Sequence, residues 1–272
     1  LIPLLYFRLF HPRIKLAIAP RGMLQGGALS IRSTKKSVYI KLLKIVGLLH
    51  KVTWHATDEQ EILDIKKVMG EQANCMLAYN LSKKPQEKVQ IIEKNNTTLK
   101  LVFLSLITEK KNLHLVLQAL HNITFPVELD IYGPIKDQDY WKTCQKICLE
   151  LPENCKVIYK GPINPVDVQH TLLQYHAFVL PSKGENFGHA IYESLSVGRP
   201  VIISEFTPWN ELMSKTAGWN CELAMKEIEL AIIQLQELPQ NDFNNYCENA
   251  LELANLYFKK SASLENYYNL LT

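Results

Sequence analysis

Two carboxylates, Glu185 and Glu193, lie close together in the run Pro181-Ser182-Lys183-Gly184-Glu185-Asn186-Phe187-Gly188-His189-Ala190-Ile191-Tyr192-Glu193-Ser194-Leu195-Ser196-Val197-Gly198-Arg199-Pro200. Carboxylates accept hydrogen bonds from hydroxyls, so one on a loop and one on a helix could grip two parts of a single polyol ligand. Gly188 has no side chain and lets a ligand approach the backbone closely. The residues after it predict a helix of about ten residues, stopped by Gly198 and then Pro200. Free N–H groups at the start of such a helix favour an anion such as phosphate. His189 and Glu193 are spaced i, i+4 and share one face. Read without further context, the same residues also fit a turn with packing glycines and a solvated glutamate.

The elements that must position this run are short apolar segments at Leu101–Ser105, Val127–Tyr132, Lys156–Tyr159, Ala177–Leu180 and Val201–Ser204. Stretches of helical periodicity lie between most of them, such as the stripe Leu113, Val116, Leu117, Leu120. Apolar strands alternating with helices predict a parallel sheet covered on both faces, which binds ligands at the carboxyl ends of its strands. The first ninety residues read as another α/β piece. Strands are expected at Lys15–Ala19 (running into Pro20-Arg21-Gly22), Val52–His55 and Ala73–Tyr79. Helices are expected at Lys35–His50 and from Thr57, where Asp58, Glu59 and Glu61 suit the helix dipole. The resulting division is a first domain at 1–82, a polar linker at 83–98, a second domain at 99–240, and an aromatic-rich helical tail at 241–272 packing back toward the first domain.

With 47% hydrophobic and 21% charged residues, the chain of 272 is ordinary for a globular protein; disordered, collagenous and disulfide-scaffold classes are excluded. The net charge of +3 conceals an asymmetry. Residues 1–51 hold ten Lys and Arg and no acid, and the first acid is Asp58. A basic block of this kind suits an anionic partner: a membrane surface, a phosphorylated substrate or nucleic acid. A solvated basic face is the plainer alternative. Six cysteines occur without a Cys-x-x-Cys pair, which points to buried free thiols rather than zinc. No apolar run reaches the ~20 residues that span a bilayer, and no signal peptide is visible. The chain opens on Leu inside an amphipathic run, so residues upstream are expected.

The segment carrying Glu185 and Glu193 resembles the E-x7-E signature of the retaining glycosyltransferases of family 4, the group 1 transferases. The following Ser196-Val197-Gly198-Arg199-Pro200-Val201-Ile202 also fits, as do Leu129-Asp130-Ile131-Tyr132-Gly133-Pro134 and the turn starting Glu109-Lys110-Lys111-Asn112-Leu113. Ala19-Pro20-Arg21-Gly22-Met23 with Gly27-Ala28-Leu29 resembles the amino-domain Pro-Arg-Gly loop. Trp54 to Glu61 resembles the last strand and helix of that domain. The resemblance implies an α/β fold of GT-B type, with two facing Rossmann-like domains and the first of them truncated. It implies that Glu193 binds the ribose of a nucleotide-diphosphate sugar (UDP- or GDP-linked) and that Glu185 binds the donor sugar. Backbone N–H groups around Gly188 and His189, beside Asn186 and Phe187, would meet the diphosphate, and the loop at Gly133 would line the base pocket. Arg21 and Gly22 would lie on the acceptor or phosphate side.

Lys111 would stand at a helix start, where a cation opposes the dipole; a bound diphosphate removes that conflict and is stabilised as it departs. The register leaves Lys110 as an alternative. The family's Arg after the preceding strand is replaced by Leu106, or by Ser105 in the other register, and neither can pair a phosphate. Arg199 or Arg21 would have to compensate. About a hundred residues of the family's first domain would precede Leu1, so none of His11, His55 and His189 is assigned as a base, and His55 is expected to be a packing residue.

The activity implied is transfer of a sugar to an acceptor hydroxyl with retention, in surface polysaccharide or lipopolysaccharide synthesis. It would need no cofactor and no metal. The acceptor would be a glycan or a lipid-linked glycan, with residues 1–51 meeting an anionic membrane at its cytoplasmic face and no role for nucleic acid. The competing reading is a non-catalytic or degenerate nucleotide-sugar-binding module; a sugar-nucleotide epimerase of the same architecture fits the motifs less well.

Overall fold

A computed structural model describes residues 2–11, 13–24, 33–94, 98–261 and 267–268; the expected Gly27-Ala28-Leu29 motif lies outside them. The chain divides into two units, residues 1–81 with 260–272, and residues 82–259.

The first unit contains α1 (Ile2–Phe10), β1 (Leu16–Ile18), α2 (Ser33–Ile45), β2 (Val52–Ala56), α3 (Glu59–Met69) and β3 (Cys75–Leu77). Its three strands are parallel in the order β1-β2-β3. Val52, Trp54, Ala56 and Ile65 form its core with Leu24. Strands β1 and β3 are shorter than their apolar runs suggest, and α2 stops at Ile45 rather than His50. Helix α3 begins at Glu59, two residues after Thr57, because Asp58 is its N-cap: its carboxylate accepts from Glu61 N–H at 2.7 Å. His55 is buried, bonded to Ala78 O at 2.8 Å and set edge-on to Tyr267.

The second unit is built on β4 (Leu99–Leu104), β5 (Val127–Tyr132), β6 (Cys155–Gly161), β7 (Ala177–Leu180), β8 (Val201–Ser204) and β9 (Gly218–Cys221). All six are parallel, in the order β6-β5-β4-β7-β8-β9. Numbered from the first of them, that order is 3-2-1-4-5-6, a doubly wound sheet whose direction of winding reverses between β4 and β7. Helices α4 (Leu113–Leu120), α5 (Gln138–Leu149), α6 (Val168–Leu172) and α7 (His189–Leu195) alternate with strands β4 to β8, and α8 (Met225–Glu237) and α9 (Gln240–Ser261) follow β9. The expected stripe Leu113, Val116, Leu117, Leu120 is fully buried. Strand β9 was not legible in the sequence. It is only four residues of mixed type, and it pairs closely enough with β8 that a Cβ on Gly218 would fall 2.1 Å from Val201 O.

The polar segment read from its composition as a linker is laid along the second unit. Gln86 N–H donates to Ser196 O at 2.8 Å, and the Lys94 ammonium reaches the carbonyls of Gln236 and Leu238 at the end of α8. A cation is favoured at that end by the helix dipole. The tail does not separate at 241: Phe243, Cys247, Ala250 and Ala254 of α9 are buried in the core of the second unit at helical spacing. The six cysteines are unpaired, and burial pushes the Cys144 and Cys247 thiols up to about 11. Among the described residues no group of three or more His, Cys, Asp or Glu could hold a metal, and no helix is long and apolar enough to cross a membrane.

Arg199 and His176 are buried at the amino ends of the strands. The Arg199 guanidinium donates to the carbonyls of Gln90, Leu173 and Gly198, so it cannot replace the arginine missing beside β4. His176 Nδ1 accepts from Lys100 N–H at 2.8 Å. Burial, reinforced by Arg199, Lys100 and Lys94, pushes the imidazole pKa down to about 4. Below its ordinary value near 6.5 the unfolded chain therefore takes up a proton that the folded chain refuses. Stability attributable to His176 is complete above that value and declines as pH falls toward 4, by about 3 kcal/mol in all. Denaturant melts from pH 7 to 4 should show this decline in the native protein and not in His176→Asn, whose side-chain oxygen can accept the Lys100 bond.

Candidate functional site

The winding reversal leaves the loops after β4 and β7 diverging at the carboxyl end of the sheet, where such folds open a crevice. An open cleft of about 350 Å³ occupies this place. It is lined by Ser105, Leu106 and Lys111 after β4, Gly133 and Pro134 after β5, and Glu185, Gly188, His189 and Glu193 after β7. Of the expected site residues, those at 111, 133, 185, 188, 189 and 193 are thus brought together.

The loops after β4 and β7 are tied to each other. Asn112 is 1% exposed, and its amide donates to Pro181 O at 2.8 Å. Lys183 N–H donates to Lys110 O at the same distance. Lys111 closes a short 3-10 turn (Glu109–Lys111), and Asn112, left-handed at φ 54°, redirects the chain into α4. The turn settles which lysine faces the cleft. Lys110 is exposed, whereas the Lys111 ammonium meets Glu185 Oε1 at 2.5 Å with both side chains largely buried.

Glu193 projects from α7 on the other side of the cleft. Burial pushes its carboxyl above the ordinary range, against the opposing pull of the Lys83 ammonium at 3.4 Å. Gly188 precedes α7 at φ 78°, a left-handed conformation that favours glycine, and no side chain caps the helix start. Helix α7 is seven residues long rather than about ten. Its last turn closes through Gly198, where a Cβ would meet Val89 and Cys247 O.

Two of the expected donor-side residues stand apart from the cleft lining. Phe187 does not line the cleft; it is buried against Tyr192, Trp209 and Tyr257, and its carbonyl accepts from the Trp209 indole at 2.6 Å. An apolar ring at that position gains more from the aromatic core than from a polar cleft. Asn186 is likewise not among the residues lining the cleft, and its Oδ1 is buried without a hydrogen-bond partner among the described residues. Gly22 N–H is already committed to the Glu61 carboxylate at 2.7 Å, which also accepts from Thr57 N–H and Oγ1. Arg21 bonds Asn80. Both belong to the first unit, where Glu61 organises the loop. Leu106 is 44% exposed on the cleft wall, and Ser105 lies beside it, so the position of the family arginine carries no cation in either register.

The glycosyl transferases group 1 family matches residues 85–252, and the chain belongs to that family. No curated protein matches it in sequence. Among solved structures, Anabaena HepE in complex with UDP and glucose superposes with a TM-score of 0.73 at 14% identity, over 98% of this chain and 74% of that one. An S. aureus TarM mutant, in complex with fondaparinux, alpha-GlcNAc-glycerol and UDP, gives 0.65 at 18% identity, over 81% of this chain and 44% of that one. WaaG, a glycosyltransferase involved in lipopolysaccharide biosynthesis, gives 0.65 at 14%, over 82% and 63%. The chain therefore spans less than half the length of TarM. At these identities the likeness is one of fold: the α/β architecture of GT-B glycosyltransferases.

Gly133 lines the cleft for a reason the motif did not disclose. At φ 131° it passes so close to the β4 loop that a Cβ would lie 1.8 Å from Ser105 O. Gly133→Ala must push the two loops apart, and a loss of about 3 kcal/mol is expected by thermal or denaturant melting. Gly161→Ala, where a Cβ would meet nothing within 4 Å, supplies the comparison of a strained φ without a clash.

Proposed function

We propose that the chain is the donor-binding part of a transferase that moves a sugar from a nucleoside-diphosphate sugar, UDP- or GDP-linked, to an acceptor hydroxyl with retention at the anomeric carbon. The observation that carries the reading is the convergence of Lys111, Glu185 and Glu193 at the winding reversal of a group 1 transferase fold. Neighbours of the same fold hold UDP, and in one case also glucose.

In this reading Glu193 accepts the ribose hydroxyls and Glu185 those of the sugar. The uncapped start of α7 and the Lys111 ammonium face the diphosphate. The ion pair with Glu185 holds Lys111 in place before the donor arrives and leaves two of its three N–H donors for phosphate oxygens. The acceptor oxygen bonds to the anomeric carbon on the face from which the diphosphate leaves. The carbon–phosphate-oxygen bond breaks, and the acceptor proton passes to the departing phosphate. Lys111 offsets the charge that develops there. Among the cleft-lining residues it is the one Lys or Arg, since Leu106 replaces the family arginine. That replacement favours a second reading, a module that binds nucleotide sugar without turnover.

The donor assignment is tested by calorimetric titration with UDP, GDP and ADP and their sugars. Saturable binding to one nucleotide, abolished in Glu193→Ala, is the expected result; binding to none of them removes the reading. In a chain that turns over, Lys111→Met should lower kcat by about 100- to 1000-fold, with the product anomer, read by NMR, matching the donor. Binding without turnover in the presence of acceptor, with activity gained in Leu106→Arg, would favour the second reading.

The first unit is assigned the acceptor side, at a membrane surface and with a glycan or lipid-linked acceptor of surface polysaccharide or lipopolysaccharide synthesis. Its basic first 51 residues and the exposed Tyr6, Leu9 and Phe10 of α1 support this. The protein should sediment with anionic vesicles at low salt and be released as ionic strength rises. Absence of sedimentation at low salt would count against the membrane assignment alone.

A further inference from the structure

Glu193 is not alone on its side of the cleft. The Lys83 ammonium stands 3.4 Å from Glu193 Oε1 and also donates to Pro165 O, a carbonyl on the cleft wall. The Lys83 carbonyl in turn accepts from the Tyr192 hydroxyl at 2.7 Å, and Tyr192 precedes Glu193 on α7. Lys83 is therefore held at both ends, by the helix that carries Glu193 and by the loop facing that helix. It enters the site from the second residue of the second unit, far from any motif in sequence.

From this arrangement we infer that Lys83 is a positioning residue of the donor site, keeping the Glu193 carboxylate oriented and ionised for the cis-diol of a ribose. The inference rests on the proposed nucleotide-sugar reading and deepens it. An ionised carboxylate offers both oxygens as strong acceptors to the two hydroxyls of a ribose, whereas protonation turns one of them into a donor and weakens the pair. One ammonium bond on Oε1 leaves the second oxygen and the remaining lone pairs directed at the cleft. Burial alone favours the neutral acid, and among the described residues the Lys83 ammonium is the charged group that opposes it. The other titratable groups lining the cleft are Lys111 and Glu185, paired with each other, and His189, one turn before Glu193 on α7. A purely structural lysine would leave ligand affinity alone or change it equally at every pH. A lysine that holds Glu193 ionised makes the change grow as protons become available.

The test is calorimetric titration of the full chain with UDP and GDP from pH 8 to pH 6, for the native protein, Lys83→Met and Lys83→Arg, with melting curves to show that all three fold. The terminal phosphate of the ligand also titrates, but equally against all three, so the ratio of affinities is read. In Lys83→Met the Glu193 carboxyl takes up its proton at higher pH than in the native protein. Affinity relative to the native protein should then fall progressively from pH 8 to pH 6. Lys83→Arg should restore the native profile. A ratio constant across the range, or no loss in Lys83→Met, overturns the inference while leaving the donor site in place. If the native protein binds neither nucleotide, the reading of the cleft and this inference fall together.

Discussion

Everything at the site depends on the binding of two loops to each other where the sheet reverses its winding. Strands β4 and β7 are neighbours with parallel carboxyl ends, but the chain leaves them in opposite directions around the sheet. Without a tie, the two loops would splay. Asn112 to Pro181, Lys183 to Lys110, and Lys111 to Glu185 join them, using one buried amide, one backbone bond and one largely buried ion pair. A pair so placed has lost much of its solvation, so removing either partner leaves an uncompensated charge. The same contact that holds the fold thus sets the electrostatics of the cleft.

That constraint explains why a site can stand with so few charges. The cleft wall is rich in leucine and proline, and Leu106 occupies the place of a family arginine. An ammonium facing a phosphate in such surroundings acts through a lower effective dielectric than it would in water. Gly133 contributes from below: its missing side chain lets the β5 loop close on Ser105 and shape the floor. Glycine at this position serves the packing of the loops as much as any approach of a ligand. Phe187 shows the converse case. It lies inside the signature run yet anchors the loop in an aromatic cluster, so a motif residue can hold the site without touching what the site holds.

The two carboxylates are prepared differently. Glu185 is neutralised by the lysine it shares the cleft with. Glu193 is more weakly supported, by a lysine from a segment whose composition resembles a linker. Its described residues are bound to the second unit: the segment donates to the end of α7 through Gln86, accepts from Arg199 through Gln90 and closes the end of α8 through Lys94. Its Lys84 and Glu87 side chains face solvent, as a polar composition implies, while the backbone of Gln86 and Gln90 and the Lys94 ammonium make these bonds.

Much was legible in the sequence because it is local. Near-continuous apolar runs marked the strands β7 and β8 to the residue, since a strand buried on both faces is mostly apolar, and β5 was bounded to the residue although it carries Glu128 and Asp130. The stripe of α4, the glycine before α7 and the spacing of Glu185 and Glu193 were visible for the same reason: period and turn chemistry are properties of neighbours in the chain. What only the tertiary structure decided is long in sequence separation. It chose Lys111 over Lys110, turned Phe187 inward, committed Gly22 to Glu61, buried Arg199 at the far end of the sheet, and set Lys83 against Glu193. No local period encodes a bond between residues 83 and 193, because its partners meet only when the sheet has brought their loops together.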